Sequence, residues 1–451
     1  MVKARFLVLI IAALGTGAFF VLKSTPRAVS IKPEEKTTQA AENLSPISEA
    51  PLPPNTTSTT PKVGGPYSDI GPQNPLPNLP SVVKALYLTA WSAGSSKKVD
   101  QIIGLLHNSG FNAVVIDIKD YSGYVSYAMD VPEVKASGAE SEIRIASPNA
   151  LIKKLHDNGI YAIARLTVFQ DPILAKAYPE WALKDKTTGA TWTDNKGLAW
   201  MDPAGHGAWD YNISIAKDAL SRGFDEINFD YVRFASDGSL GNISYPFWDE
   251  KILRHKIIAQ FFSYLRQQLG SARLSADLFG LSTVNRDDLG IGQTIEDAYR
   301  YFDYVSPMVY PSHYASGFIG YKNPANYPYE VIKYSLDHAL ARLEAMNNPP
   351  PANSSSTPRQ NSGQATSTTE VPAPTAIEPA RGKLRPWIQD FDLGAVYNAA
   401  MVHKEFQAVK DSLDSTSTHS TSSGQATPGQ FTGWLVWNPS NNYVETKFTG
   451  N

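Results

Sequence analysis

Gly223-Phe224-Asp225-Glu226-Ile227-Asn228-Phe229-Asp230-Tyr231-Val232-Arg233-Phe234 is the stretch from which the rest of the chain can be read. The glycine ends a helical run, Ala208 to Ser221. A short apolar strand, Ile227 to Phe229, follows, and an aspartate, a tyrosine and an arginine stand where that strand should stop. An ionised carboxylate taken out of water costs several kcal/mol unless it is paired. Asp230 is therefore either tied to Arg233 in a structural ion pair or placed to do chemistry.

The same unit, an apolar strand ending in a polar tip, recurs on both sides. Strands are expected at Val83 to Thr89, Asn112 to Ile118, Ile160 to Leu166, the stretch from Phe224, Leu274 to Phe279, Tyr304 to Tyr310, Arg385 to Asp390 and Phe431 to Trp437. Amphipathic helical stretches alternate with them: Val99 to Asn108, Asn149 to Asp157, Ala208 to Ser221, Asp249 to Leu269, Thr294 to Tyr301, Tyr329 to Met346 and Val396 to Leu413. In the helix from Asp249, residues Ile252, Leu253, Ile257, Phe261 and Leu265 are expected on one face. Strands that are apolar on both faces are covered by helices on both sides or closed into a barrel. Eight such units predict an α/β fold, a (β/α)8 TIM barrel, with a doubly wound open sheet as the alternative.

The flanking segments have another texture. Met1 to Lys23 carries Lys3 and Arg5, an uncharged run from Phe6 to Leu22, then Lys23. This pattern predicts an uncleaved signal anchor, in preference to a cleaved signal peptide, with the remainder outside the cytoplasm. Residues 24–80, rich in Pro, Ser, Thr, Asn and Glu, read as a disordered tether, and 81–451 as the barrel. Within it, 347–382 and 414–430 are low-complexity insertions, each containing Ser-Gly-Gln-Ala-Thr. Forty Lys+Arg against 43 Asp+Glu give a net charge of -3, so no basic field for nucleic acid is present. The absence of cysteine rules out disulfides, thiolate metal sites and Cys nucleophiles. The histidines show no metal-binding spacing, and no phosphate- or dinucleotide-binding glycine motif occurs, so neither a metal nor a cofactor is expected.

Barrel enzymes place their chemistry at the C-terminal ends of the strands. There the sequence offers Asp117 and Lys119, Arg165, then Asn228, Asp230, Tyr231 and Arg233, then Asp277, Tyr310 with His313, Gln389 with Asp390, and Trp437. Side chains alternate along a strand, which puts Asn228 with Asp230 and Asp117 with Lys119 on shared faces. Asp230 and Asp277 sit on neighbouring strands, within reach of the roughly 5 to 9 Å carboxylate spacing used by glycosidases. Like charges there push the two pKa values apart, making one base or nucleophile and one acid. Asp277 could instead cap a strand end, Asp117 and Lys119 could form a structural pair, and Arg165 could be a buried partner of those carboxylates. Trp181, Trp192, Trp200 and Trp209 crowd the loop after the third strand. Flat aromatics suit sugar rings, although packing the loop onto the barrel is the plainer role for each. Trp437 differs because its strand-end position points it at the site.

Four blocks together carry a family resemblance. Gly223 to Phe234, Met308-Val309-Tyr310-Pro311-Ser312-His313-Tyr314, Arg385-Pro386-Trp387-Ile388-Gln389-Asp390-Phe391 and Gly433-Trp434-Leu435-Val436-Trp437-Asn438 resemble the signatures of a bacterial family of predicted glycoside hydrolases. The resemblance implies a glycosidase-type TIM barrel distantly similar to the α-amylase superfamily, with Asp230 at the nucleophile position. The amylase pattern has an arginine two residues before the nucleophile, where this chain has Asn228, and a glutamate acid after strand five, where it has Asp277. The expected function is hydrolysis of an extracellular or cell-envelope polysaccharide. Asp230 is then nucleophile or base and Asp277 the acid. Lys119, Arg165, Tyr310, His313 and Gln389 bind sugar hydroxyls, with Asp117, Tyr231, Arg233, Asp390 and Trp437 completing the substrate site. The alternative is a glycan-binding or envelope-scaffolding barrel without turnover.

Overall fold

The computed structural model describes residues 69–348, 380–414 and 431–449. The expected anchor, most of the tether, and residues 349–379 and 415–430 of the two insertions lie outside the described residues. Among the described residues, no helix is long and apolar enough to cross a membrane.

Eight parallel strands form the framework: β1 (Val83–Leu88), β2 (Ala113–Lys119), β3 (Tyr161–Thr167), β4 (Glu226–Asp230), β5 (Leu274–Phe279), β6 (Tyr304–Met308), β7 (Trp387–Gln389) and β8 (Gly433–Trp437). β8 pairs back onto β1, and β6 meets β7 at Met308 and Trp387, so the sheet closes. That closure excludes the open doubly wound sheet. A two-residue strand, Lys383–Leu384, also pairs with β6. Every connection carries a helix, among them Ser96–Ser109, Pro148–Asp157, His206–Arg222, Arg254–Leu269, Pro328–Asn347 and Ala399–Leu413.

Alternation along each strand divides the side chains between two cores. In β3, Ala162, Ala164 and Leu166 face the helices, whereas Tyr161 and Ile163 join Val83, Ala85, Val115 and Leu435 inside the barrel. The turn into β4 needs its glycine. Gly223 has φ 106°, and a Cβ there would stand 2.4 Å from the Gln73 carbonyl oxygen.

That contact comes from residues 69–80, which fall within the stretch expected to be a tether. Asp69 accepts the backbone N–H groups of Asn149 and Ala150 in the first turn of their helix, at 2.7 and 3.0 Å. The Leu76 N–H donates to the Asp225 carboxylate at 2.7 Å, and Leu76 and Leu79 pack against the barrel-interior cluster. These residues belong to the folded barrel.

The helix expected from Asp249 begins instead at Arg254. Glu250 takes left-handed backbone, φ 62°, which a helix cannot continue through. Ile252 and Leu253, expected on its buried face, are consequently 43% and 65% exposed.

Candidate active site

Register brings the polar strand ends to one place. Arg165 on β3 lies level with Asp117 on β2 and with Asn228 on β4, while Asp230 is one step higher, beside Thr167. From that position the Arg165 guanidinium reaches three carboxylates. Nη1 donates to Asp117 at 2.6 Å, Nη2 donates to Asp230, and Nε stands 3.7 Å from Asp277. All four side chains are buried, Asp230 at 5% and Asp277 at 1% exposure.

The two candidate catalytic carboxylates sit in unlike surroundings. Asp230 receives the Arg165 guanidinium on one oxygen and its neighbour's backbone N–H, from Tyr231 at 2.6 Å, on the other. Tyr231 itself has φ 55°, a left-handed conformation in which bulky side chains are strained. Asp277 keeps one oxygen, Oδ1, on the Nδ2 of Asn228 (2.8 Å) and the Nε1 of Trp387 (2.7 Å), and its Oδ2 has no hydrogen-bond partner. Burial first, then the nearby charge of Asp230, raise the Asp277 carboxyl well above the usual carboxylate range. Burial also raises Asp117, against the pull of Arg165 and of the Tyr87 hydroxyl.

The aromatic wall is built from β1, β7 and β8. Trp437 is half-buried, stacks on Tyr87 with ring centres 3.9 Å apart, and lies 5.0 Å from the Arg165 guanidinium. Trp387 meets Trp437 edge-on at 5.6 Å. Tyr310 is buried beside His313 and Phe391, and burial followed by the charges of Asp277 and Asp230 holds its hydroxyl well above the ordinary tyrosine value. Gln389 accepts from Ser312 Oγ at 2.8 Å and donates to the Phe391 carbonyl, so it pins the exposed His313 loop to β7.

Other expected residues are placed elsewhere. An irregularity in β2 sets Lys119, not Ile118, level with Leu166, so its side chain turns away from the face that Asp117 shares with Arg165. Lys119 is instead fully buried in an ion pair with Asp171, 2.6 Å apart. Arg233 makes no ion pair with Asp230. It hydrogen-bonds Phe234 O and Ser236 Oγ and lies over the rings of Trp200 and Phe279. Asp390 is taken up by Lys447 and Asn438. Trp192, Trp200 and Trp209 are buried and Trp181 stacks on Tyr178, so the loop tryptophans pack their loop.

Sequence reasoning gave no role to Tyr87 or Trp387, which hydrogen-bond Asp117 and Asp277. The signal was present: each stands at an inward position, and a buried Tyr or Trp needs a partner for its polar end. Among the described residues, no group of three or more His, Cys, Asp or Glu is arranged to hold a metal ion.

A closed barrel of eight parallel strands with helices in the connections defines the class as a (β/α)8 TIM barrel. Residues 85–358 match the family described as "Putative glycosyl hydrolase domain", and the chain belongs to that family. The matched residues include Asp117, Arg165, Asp230 and Asp277, together with two of the four blocks that carried the resemblance. Among solved structures, a hypothetical protein from Ruminiclostridium thermocellum ATCC 27405 is 39% identical, over 46% of this chain and 98% of that one, with a TM-score of 0.40. The PgaB (BpsB) glycoside hydrolase domain from Bordetella bronchiseptica is 11% identical over 80% of this chain and 95% of its own, with a TM-score of 0.49. The chitobiase of Flavobacterium johnsoniae is 9% identical over 81% of this chain and 47% of its own, with a TM-score of 0.45. No curated protein matches the chain.

Proposed function

We propose that the protein hydrolyses glycosidic bonds in a polysaccharide or cell-envelope glycan, with Asp277 as general acid and Asp230 on the opposite side of the reaction. One observation carries this reading: two aspartates face the same guanidinium, one holding donors on both oxygens and the other holding an oxygen with none. A carboxyl kept protonated by burial can give its proton to the departing glycosidic oxygen, which takes the electron pair of the breaking C–O bond. The anomeric carbon gains a new C–O bond, either from Asp230 directly or from a water whose proton passes to Asp230. Trp437 supplies a flat surface for a sugar ring, and Tyr310 and His313 border the same mouth. The charge-flanked apolar run from Phe6 to Leu22 supports a signal anchor holding the barrel outside the cytoplasm.

The test is a glycan panel scored for both binding and reducing-end release by the purified full-length chain. Release that disappears in Asp230→Asn and Asp277→Asn, with affinity kept within roughly tenfold, supports the reading. The burial of both aspartates favours a second reading, a glycan-binding barrel. Binding without release across the panel would decide for it.

A further inference from the structure

Below the mouth the barrel interior holds a second polar cluster, and it connects upward to Asp277. Glu226 Oε1 accepts from Arg385 Nη2 and from Ser275 Oγ, and its Oε2 accepts from Tyr161 Oη at 3.0 Å. Asn228 Nδ2 then lies 3.0 Å from Ser275 Oγ and 2.8 Å from Asp277 Oδ1. Every one of these side chains is buried at an inward-facing position.

Counting protons along this row fixes its direction. A serine hydroxyl has one proton, and Ser275 gives it to Glu226, so toward Asn228 it can only accept. Asn228 must therefore present its amide nitrogen, whose two N–H groups serve Ser275 and Asp277. An amide orientation is ordinarily ambiguous, but here Ser275, whose only proton goes to Glu226, requires the nitrogen. The indole Nε1 of Trp387 can only donate, and it points at the same Asp277 oxygen at 2.7 Å. Oδ1 thus faces two donors, while Oδ2 has no hydrogen-bond partner and stands 3.7 Å from Arg165 Nε.

We infer that Asn228 and Trp387, aligned by Ser275 and Glu226, are positioning residues that confine the proton of neutral Asp277 to Oδ2, the oxygen turned toward Arg165. The groups facing Asp277 are Arg165 from β3, Asp230 and Asn228 from β4, Tyr310 beyond β6 and Trp387 from β7. None but Asn228 and Trp387 hydrogen-bonds its Oδ1. The consequence deepens the glycosidase reading and rests on it: the acid is aimed as well as kept protonated. In this chain an asparagine beneath the mouth does the aiming, and the cation comes from the adjacent strand.

The experiment is isotope-edited infrared spectroscopy of the full-length protein labelled at aspartate side-chain carboxyl carbons, taken as a difference against Asp277→Asn. Accepting hydrogen bonds softens a carbonyl. If Oδ1 is the carbonyl oxygen of neutral Asp277, its C=O stretch should move to higher frequency in Asn228→Ala and again in Trp387→Phe. Ser275→Ala should show part of the shift and Ser275→Thr, which keeps the hydroxyl, should restore the parent frequency. A stretch that stays put in both Asn228→Ala and Trp387→Phe places the proton on Oδ1 and overturns the inference. Glycan release is scored on the same variants. The infrared shift without release in the parent keeps the proton placement and removes the glycosidase reading. Release that persists while the stretch does not move does the reverse.

Discussion

Arg385 at the floor of the barrel and Arg165 at its mouth are both buried guanidiniums, yet they are supplied with carboxylates differently. The floor pairs one fully buried cation with one fully buried carboxylate, Glu226, with Ser275 and Tyr161 completing the carboxylate's shell and the less buried Arg273 adding positive charge nearby. The mouth has one cation to three carboxylates, Asp117, Asp230 and Asp277. A balanced buried pair answers each charge in place, and removing a member leaves the other uncompensated. Burial first, and then the charge of Asp230 in this excess of acid, raise the Asp277 carboxyl well above the usual range. On the proposed mechanism the mouth serves proton chemistry, whereas the floor has the make-up of a stabilising pair.

The largest expected effect lies at the mouth. On the proposed mechanism, Asp230→Asn and Asp277→Asn should each lower turnover by about a thousandfold or more, because each would act mainly in the transition state. Melting temperature should hardly fall, since either change relieves the excess of acid. Calorimetry beside turnover on the best panel glycan checks this, and an unfolded Asp230→Asn protein would show that the mouth is structural after all. The floor should behave in the opposite way. Glu226→Leu or Arg385→Met is expected to cost about 3–5 kcal/mol, read from denaturant unfolding, because a lone charge is left in the barrel. If those variants melt with the parent, the contrast between the two clusters is lost.

Much of this could be read from sequence, for identifiable reasons. The eight strands were visible because runs such as Ala113 to Ile118 are apolar on both faces, and their polar tips followed from where the runs stop. Asp230, Asp277, Arg165 and Trp437 are named that way, and the structure brings them together around the Arg165 guanidinium. What escaped depends on a single residue's displacement or on a distant contact. The irregularity before Lys119 reverses one side chain without leaving a mark in the residue pattern. The helix start at Arg254 turns on the backbone angle of Glu250, a residue type with ordinary helix propensity. The docking of residues 69–80 needs Asn149, Arg222 and Asp225 to be assembled first. Arg165 is legible as a buried partner of the carboxylates, but its reach to three of them is not, because they come from three other strands.

A smaller effect sharpens the comparison through pH. The folded-state values of Asp277 and Asp117 lie above those of the unfolded chain, so the folded protein holds these protons more tightly. Their contribution to stability is fully present below the ordinary aspartate value near 3.9 and is lost as pH rises through the raised folded values. Asp277→Asn removes one such group. Its melting temperature relative to the parent should therefore climb as the pH rises above about 4, since every tenfold gain in proton affinity on folding corresponds to about 1.4 kcal/mol. A difference that is flat with pH would mean that Asp277 titrates normally in the folded protein.

The smallest effect concerns the aromatic wall, where display and packing can be told apart. Trp200 is fully buried beneath Arg233, with its indole nitrogen on Asp194, whereas Trp437 is half-buried between Tyr87 and the mouth. Truncating a packed tryptophan opens a cavity and should cost about 3–5 kcal/mol of stability. Trp437→Ala should cost less stability, since part of the ring already faces solvent. Its distinctive effect is on glycan affinity, expected to fall about tenfold for loss of one ring-stacking surface, equivalent to about 1.4 kcal/mol. Trp437→Phe keeps a flat ring and should recover part of that affinity. If Trp437→Ala binds glycan like the parent while Trp200→Ala does not, the stacking surface lies in the loop after β3, and the mouth between β8 and β1 is not where the sugar rests.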